Sequence, residues 1–267
     1  MQRHQSAKKA SFFTRRTVAA FAPVFDKDLR DSTDKFCETC ASLKPIPNGK
    51  EVINIGKKVL VHTLEGPNAT KRNFLQACRE YKIVHVATHG ILNNDNPRFN
   101  FISFSQMAPQ LNSREFLYLQ ELDTCRLDLD LAVFSACETA RGKNVENEGN
   151  ISMSRGLAQA GVRSYVTTLS VVRPQQTGEL MPLFYGLLIS GSTTKDVALA
   201  EAKRRFIDKS LDNVSPEAWA NVVLMGSTDP VALRKPGFRL RCSLLIGILL
   251  LVAAASAYFF RRRLTAR

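Results

Sequence analysis

The sequence predicts an α/β protein, a three-layer α/β/α sandwich on a mostly parallel sheet, followed by one C-terminal transmembrane helix. Three observations lead there. Short runs rich in branched apolar residues alternate with stretches of helical period, the pattern of strands joined by crossover helices. Leu129 to Phe134 is apolar except for Asp130, and a run of that length suits a strand buried on both faces. A chain of 267 residues with 45% apolar content can also bury one substantial core.

In chain order, a basic leader over 1–16 precedes a strand from Thr17 to Phe25. Residues 26–44 are charged and read as helical in part. Pro45-Ile-Pro-Asn-Gly49 punctuates the chain, and Glu51 to Ile55 forms a helical turn or two. Lys57 to Thr63 is a second strand. After the Gly66-Pro-Asn loop, Thr70 caps a helix with Phe74, Leu75 and Cys78 on one face. Lys82 to Gly90 is a third strand, running into a polar loop at 93–98. Phe101 to Phe104 and Phe116 to Leu119 form a hairpin-like excursion. The strand at 129–134 follows, then a helix from Ser152 to Ala160 that Gly161 ends, and a buried strand from Arg163 to Val172. Gln176 to Ser190 and Thr194 to Ile207 are helices. The second has Thr194 as cap and Val197, Leu199, Ala200 and Phe206 among its apolar positions. Pro216 to Trp219 starts a short helix, and Val222 to Met225 is the last strand. The folded domain is expected over 17–230.

Charge narrows the partners. The formal net charge is +13, which on its own suggests nucleic acid or a membrane surface. The excess sits at the ends: residues 1–16 and 234–267 carry only basic charges, while 17–233 holds 24 basic residues against all 24 acidic ones. A nucleic-acid-binding core is therefore disfavoured, and Lys203-Arg204-Arg205 reads as a solvated helix face. A basic linker at 231–242 and a basic tail at 261–267 bracket residues 243–260, which carry no charge. Eighteen residues is at the lower end of what spans a bilayer, and Tyr258, Phe259 and Phe260 stand where an aromatic belt would be. The segment is read as a transmembrane helix, giving a single-pass membrane protein with its domain on the cytoplasmic side. Val18 to Phe25 resembles a signal segment only in part, because it is short and Pro23 interrupts it.

Six cysteines lie at 37, 40, 78, 125, 137 and 242 without a framework spacing, as in reduced proteins. Cys37-Glu-Thr-Cys40 lacks the second ligand pair that a zinc site needs. No metal and no cofactor is called for. What the pattern does offer is thiol chemistry. Cysteine protease chemistry needs a thiolate, a nearby imidazole and donors aimed at the developing oxyanion. Two strands end in such groups, at His89-Gly90 and at Ser135-Ala-Cys137. If the strands are neighbours, His89 and Cys137 stand at the same sheet edge, where functional groups of α/β sheets collect. The Gly90 and Cys137 N–H groups would then form an oxyanion hole. His85, inside the third strand, reads as a core histidine, and Ser135 lacks the G-x-S-x-G elbow of a serine nucleophile. Glu138 is a candidate to orient the site or touch substrate, and a solvated loop carboxylate is its alternative.

Val84-His-Val-Ala-Thr-His-Gly90, Asp130-Leu-Ala-Val-Phe-Ser-Ala-Cys-Glu-Thr-Ala140 and Asn147-Glu-Gly149 resemble the CHAT family, a caspase-like group in the clan of the separases. Further matches are Ser154 to Gly161, Phe184 to Leu188 and Trp219 to Gly226, so the likeness covers about 17–228. The resemblance implies a caspase-like fold, a protein or peptide substrate, His89 and Cys137 as a catalytic dyad, Gly90 as the oxyanion-hole glycine, and a regulator acting in trans. One departure stands out. Where the family has Ser-Leu-Trp followed by acidic residues, this chain has Thr168-Leu-Ser-Val-Val-Arg-Pro174, with Ser170 for the Trp and Arg173 and Pro174 for the acids. Arg173 is accordingly expected to favour acidic or neutral substrate side chains; a solvated loop residue is the alternative. The function expected is a membrane-anchored cysteine endopeptidase in signalling, defence or cell death, or else a membrane-tethered interaction module of the same fold without turnover.

Overall fold

A computed structural model describes residues 16–26, 43, 46–47, 49–93, 95–107, 111–135, 143–145, 149–151, 153–170, 173–209, 215–231 and 233. The expected leader, most of the charged 26–44 stretch, the linker from 234, the expected transmembrane segment 243–260 and the tail lie outside them. Among the described residues, no helix is long and apolar enough to cross a membrane.

The chain opens with strand β1 (Arg16–Ala22), helix α1 (Gly49–Gly56), β2 (Val61–Glu65), α2 (Lys71–Glu80) and β3 (Tyr81–Ala87). Next come β4 (Gly90–Ile91), β5 (Phe101–Ser103), β6 (Phe116–Tyr118) and the short α3 (Leu119–Leu122). Then follow β7 (Leu131–Ser135), β8 (Lys143–Val145), β9 (Gly149–Ile151), α4 (Met153–Gln159) and β10 (Ser164–Thr168). Two long helices, α5 (Pro174–Leu187) and α6 (Lys195–Lys209), lead to β11 (Val222–Gly226).

Six strands form one sheet in the order β11-β10-β7-β3-β1-β2. All neighbours are parallel except β10 and β11. Alternation of side chains divides the core into two layers. Val84 and Val86 of β3 and Ala132 and Phe134 of β7 face α2, α3 and α4. Ile83, Leu131 and Val133 face the opposite layer, where α1 supplies Ile55, α5 supplies Leu180 and Phe184, and α6 supplies Ala198 and Phe206. This is the three-layer α/β/α sandwich that the alternating pattern predicts. The winding reverses between β1 and β3, since β2 lies to one side and β7 and β10 to the other. Crevices at such a reversal, outside the carboxyl ends of the strands, are where α/β sheets hold their ligands.

Local chemistry explains most boundaries. Thr70 accepts a hydrogen bond from the Asn73 N–H through its hydroxyl and starts α2, which buries Phe74, Ala77 and Cys78. Asp130 interrupts the apolar run because it stands at the entrance of β7 and not inside the strand. Its carboxylate meets Arg163 at 2.9 Å, and its carbonyl accepts from Ser164 and from the buried Lys195. Burial pulls the Lys195 pKa down, and the Asp130 charge opposes that shift.

Several elements differ from the sequence reading. The second strand begins at Val61, not Lys57, because Lys57, Lys58 and Val59 close the end of α1 with hydrogen bonds to Ile53 and Ile55 carbonyls. Val197 is 54% exposed; α6 buries Lys195, Ala198, Leu199, Ala202 and Phe206 instead. The strand at 163–172 ends by Thr168, and β8 and β9 form an antiparallel pair that the sequence reading does not include. The excursion at 101–119 is a true antiparallel pair, with β4 added as its edge. Arg204 and Arg205 both pair with Glu201 on an exposed helix face, whereas Lys203, expected to be solvated with them, is half-buried, and burial lowers its pKa.

Phe74 packs against the rings of Phe21, Phe104 and Phe134 at the centre of one layer. Phe74→Ala should therefore cost about 3–5 kcal/mol. Thr70→Ala removes only a cap and should cost about 1 kcal/mol. Urea unfolding of the two variants checks both values and their order.

Candidate active site

The site is best built from the ladder between β3 and β7. These strands are neighbours and parallel, with Ile83 opposite Leu131, His85 opposite Val133 and Ala87 opposite Ser135. Pairing extends one step further, since the Thr88 N–H donates to the Ser135 carbonyl at 3.2 Å. His89 lies two residues beyond Ala87, and Cys137 lies two residues beyond Ser135. The described part of β7 ends at Ser135. Cys137 and Glu138 lie outside the described residues.

The third strand does not run straight to Gly90 as the sequence suggests. It stops at Ala87, and the chain re-enters a second sheet at Gly90 as β4. The reason is competition for hydrogen bonds. Buried Thr88 turns its hydroxyl onto the Ser103 carbonyl, and the His89 carbonyl accepts from the Ser103 N–H at 3.0 Å. His89 is thus held at the junction of two sheets. Its half-buried ring stands edge-on to Phe25, with centroids 4.7 Å apart. Phe25 follows β1, so the imidazole sits at the reversal of the winding.

The same register orients Gly90. In an antiparallel ladder, hydrogen-bonded and non-hydrogen-bonded pairs alternate. His89 and Ser103 form the bonded pair, and Gly90 opposite Ile102 forms the next. The Gly90 N–H therefore points away from β5. Because β4 is the edge of its three-stranded sheet, that donor lies on the open side.

Arg173 is exposed and immediately precedes α5, with Pro174 in the first turn. It stands at the carboxyl end of the sheet with Leu169, which is 45% exposed just beyond β10. A cation at this helix N-terminus would add to the positive end of the dipole.

A buried polar cluster, absent from the sequence reading, lies beneath the strand ends. Glu51 of α1 is 2% exposed, and His85 is fully buried. His85 Nε2 and Glu51 Oε1 stand 3.0 Å apart but off the line of a hydrogen bond. Glu51 Oε2 accepts from Thr177 Oγ1 at 2.8 Å and from Ser135 Oγ at 3.0 Å. On its other side, the His85 ring places Nδ1 3.3 Å from the Tyr185 hydroxyl. Burial, with the Glu51 charge adding to it, holds the Tyr185 pKa well above the ordinary value. The phenol therefore keeps its proton and can donate it to Nδ1. His85 is the core histidine that its strand position predicts. One signal for Glu51 was available: it lies four residues before Ile55, on the apolar stripe of α1.

Two of the six cysteines are described. Burial pushes the Cys78 thiol far up, and burial followed by the Glu121 charge raises that of half-buried Cys125. Neither is a thiolate at neutral pH. Among the described residues, no group of three or more His, Cys, Asp or Glu side chains could hold a metal.

The CHAT domain family model matches residues 10–227. No curated protein matches the chain. Among solved structures, the complex of the pro- and mature domains of Porphyromonas gingivalis RgpB aligns with a TM-score of 0.50 at 10% identity, over 82% of this chain and 48% of that one. A structure of the Arg-specific cysteine proteinase gingipain R aligns at 0.49 and 10% identity over the same shares. The Saccharomyces cerevisiae separase–securin complex aligns at 0.47 and 10% identity, over 83% of this chain and 12% of that one. The chain thus spans about half the length of the gingipain chains, and its likeness to RgpB is one of fold.

In the native protein Cys78 should resist iodoacetamide at neutral pH and become reactive only when urea unfolds the domain. Peptide mass mapping before and after denaturation reads this directly.

Proposed function

The chain belongs to the CHAT domain family, and from that premise we propose that it is a cysteine endopeptidase acting through His89 and Cys137 on a protein substrate. The observation that carries the reading is the parallel register of β3 and β7. It puts Ala87 opposite Ser135, and in the sequence the imidazole of His89 and the thiol of Cys137 each follow two residues later. In this reading His89 takes the thiol proton, and the Cys137 thiolate attacks the scissile carbonyl carbon. The resulting oxyanion is met by the Gly90 N–H, on the open side of β4, and by the Cys137 N–H. His89 then returns the proton to the leaving amine as the C–N bond breaks. Water, deprotonated by the same imidazole, hydrolyses the thioester and frees the enzyme. Glu138, next along the chain, orients the dyad or touches substrate.

Arg173 supports an unusual specificity. Exposed at the head of α5, it would attract an acidic side chain of the substrate and repel a basic one. Residues 243–260 are proposed to tether the 17–230 domain to a membrane, with the domain on the cytoplasmic side, through linker 231–242 and tail 261–267. A signalling, defence or cell-death substrate at that membrane fits such a tether.

Comparison of protein N-termini in cells expressing wild type or Cys137→Ala tests the activity. Wild type should generate new N-termini that Cys137→Ala and His89→Ala do not. Identical N-termini in all three would leave an interaction module in place of an enzyme. The residues preceding the cleaved bonds test Arg173: acidic or neutral residues are expected, and a strict Arg or Lys requirement would refute its role.

A further inference from the structure

Glu51 reaches more of the structure than a single contact with His85 requires. One carboxylate joins three elements: α1, which carries it; β7, through Ser135; and α5, through Thr177. Its other oxygen faces His85 in the middle of β3, and His85 connects in turn to Tyr185 of α5. The two strands it touches are the ones that lead in sequence to His89 and Cys137. Asn54, one turn along α1, donates to the Gly178 carbonyl on the same seam.

The cluster is also graded in exposure. Glu51, His85, Thr177 and Tyr185 are buried, whereas Ser135 is half-buried at the strand end. The hydrogen-bonded path from Thr177 through Glu51 therefore runs from the core out to Ser135, two places before Cys137 in the sequence. A buried charged or polar group costs desolvation that apolar packing would avoid, and stability alone gives little reason to keep one. Its directional bonds do what apolar contacts do not: they fix the azimuth and height of a strand end.

We infer that Glu51, acting through Ser135 and His85, is a positioning residue that holds the ends of β7 and β3 in the geometry the dyad requires. The inference rests on the peptidase reading. Glu51 touches no reacting atom in this account. Its carboxylate takes the Ser135 hydroxyl proton as a hydrogen bond and thereby sets where the next two residues of the strand can lie.

Ser135→Ala is the sharpest test, because it deletes one half-buried hydroxyl and leaves the core pair intact. In the full chain, the rate of Cys137 alkylation by iodoacetamide is followed by peptide mass mapping, alongside the melting temperature. Ser135→Ala should lower that rate on the order of tenfold, as small misplacements of reacting groups do, with little change in melting. Ser135→Thr, which restores the hydroxyl, should recover it. Glu51→Gln, isosteric but with one acceptor oxygen, should also slow labelling while the protein stays folded. Wild-type rates in folded Ser135→Ala and Glu51→Gln would overturn the inference and leave the cluster as core packing. Loss of labelling in Ser135→Ala that Ser135→Thr fails to recover would overturn it too. A separate result bears on the premise: if wild-type Cys137 reacts no faster than a free thiol, the peptidase reading fails and the positioning role falls with it.

Discussion

The proposed dyad and the groups that position it depend on one constraint, the parallel ladder that sets Ala87 of β3 opposite Ser135 of β7. A parallel pair shares its direction, so whatever follows each strand emerges at the same edge of the sheet. A slip of one residue would move every side chain of a strand to the other face. It would also pull the two ends out of step. Register is protected here by burial on both faces: Val84 and Val86 belong to one layer, Ile83 and His85 to the other. The apolar core thus fixes the geometry of the polar edge.

At that edge, two kinds of backbone competition shape the candidate site. Thr88 remains bound to β7 through its N–H, while its hydroxyl and the His89 carbonyl are drawn to β5. His89 therefore belongs to neither sheet, and its ring rests against Phe25 at the reversal of the winding. A histidine inside a regular strand would have its ring set by alternation alone. At a junction, its place is set by two sheets together. The Glu51 cluster adds a side-chain constraint below, crossing from α1 to β7 and α5 with partners 84 and 126 residues apart in the chain.

How much of this was legible in the sequence follows from the range of the interactions. The layers, the helix cap at Thr70 and the buried character of β7 come from local periodicity and turn chemistry, and the sequence shows them. The likeness of His89 and Gly90 to CHAT motifs agrees with the family match over 10–227, although the strand expected to end with them stops at Ala87. The break at Thr88 was not legible, because it depends on Ser103, fifteen residues away. Lys57 and Lys58 misled because a helix end and a strand start share the same polar-to-apolar transition, and only the bonds back to Ile53 and Ile55 decide between them. The partners of Glu51 come from distant elements that only the folded sheet brings together. Cys137, Glu138 and the segment 243–260 rest on sequence alone.

The central claim is that His89 activates Cys137. The pH dependence of Cys137 alkylation, measured by mass mapping in wild type and in His89→Ala, tests it most directly. A paired cysteine forms its thiolate well below the ordinary thiol pKa of about 8.5. The account predicts that wild-type Cys137 still reacts in mildly acidic solution and that His89→Ala moves its profile up to that of a free thiol. An ordinary thiol profile in wild type, unchanged by His89→Ala, would contradict it.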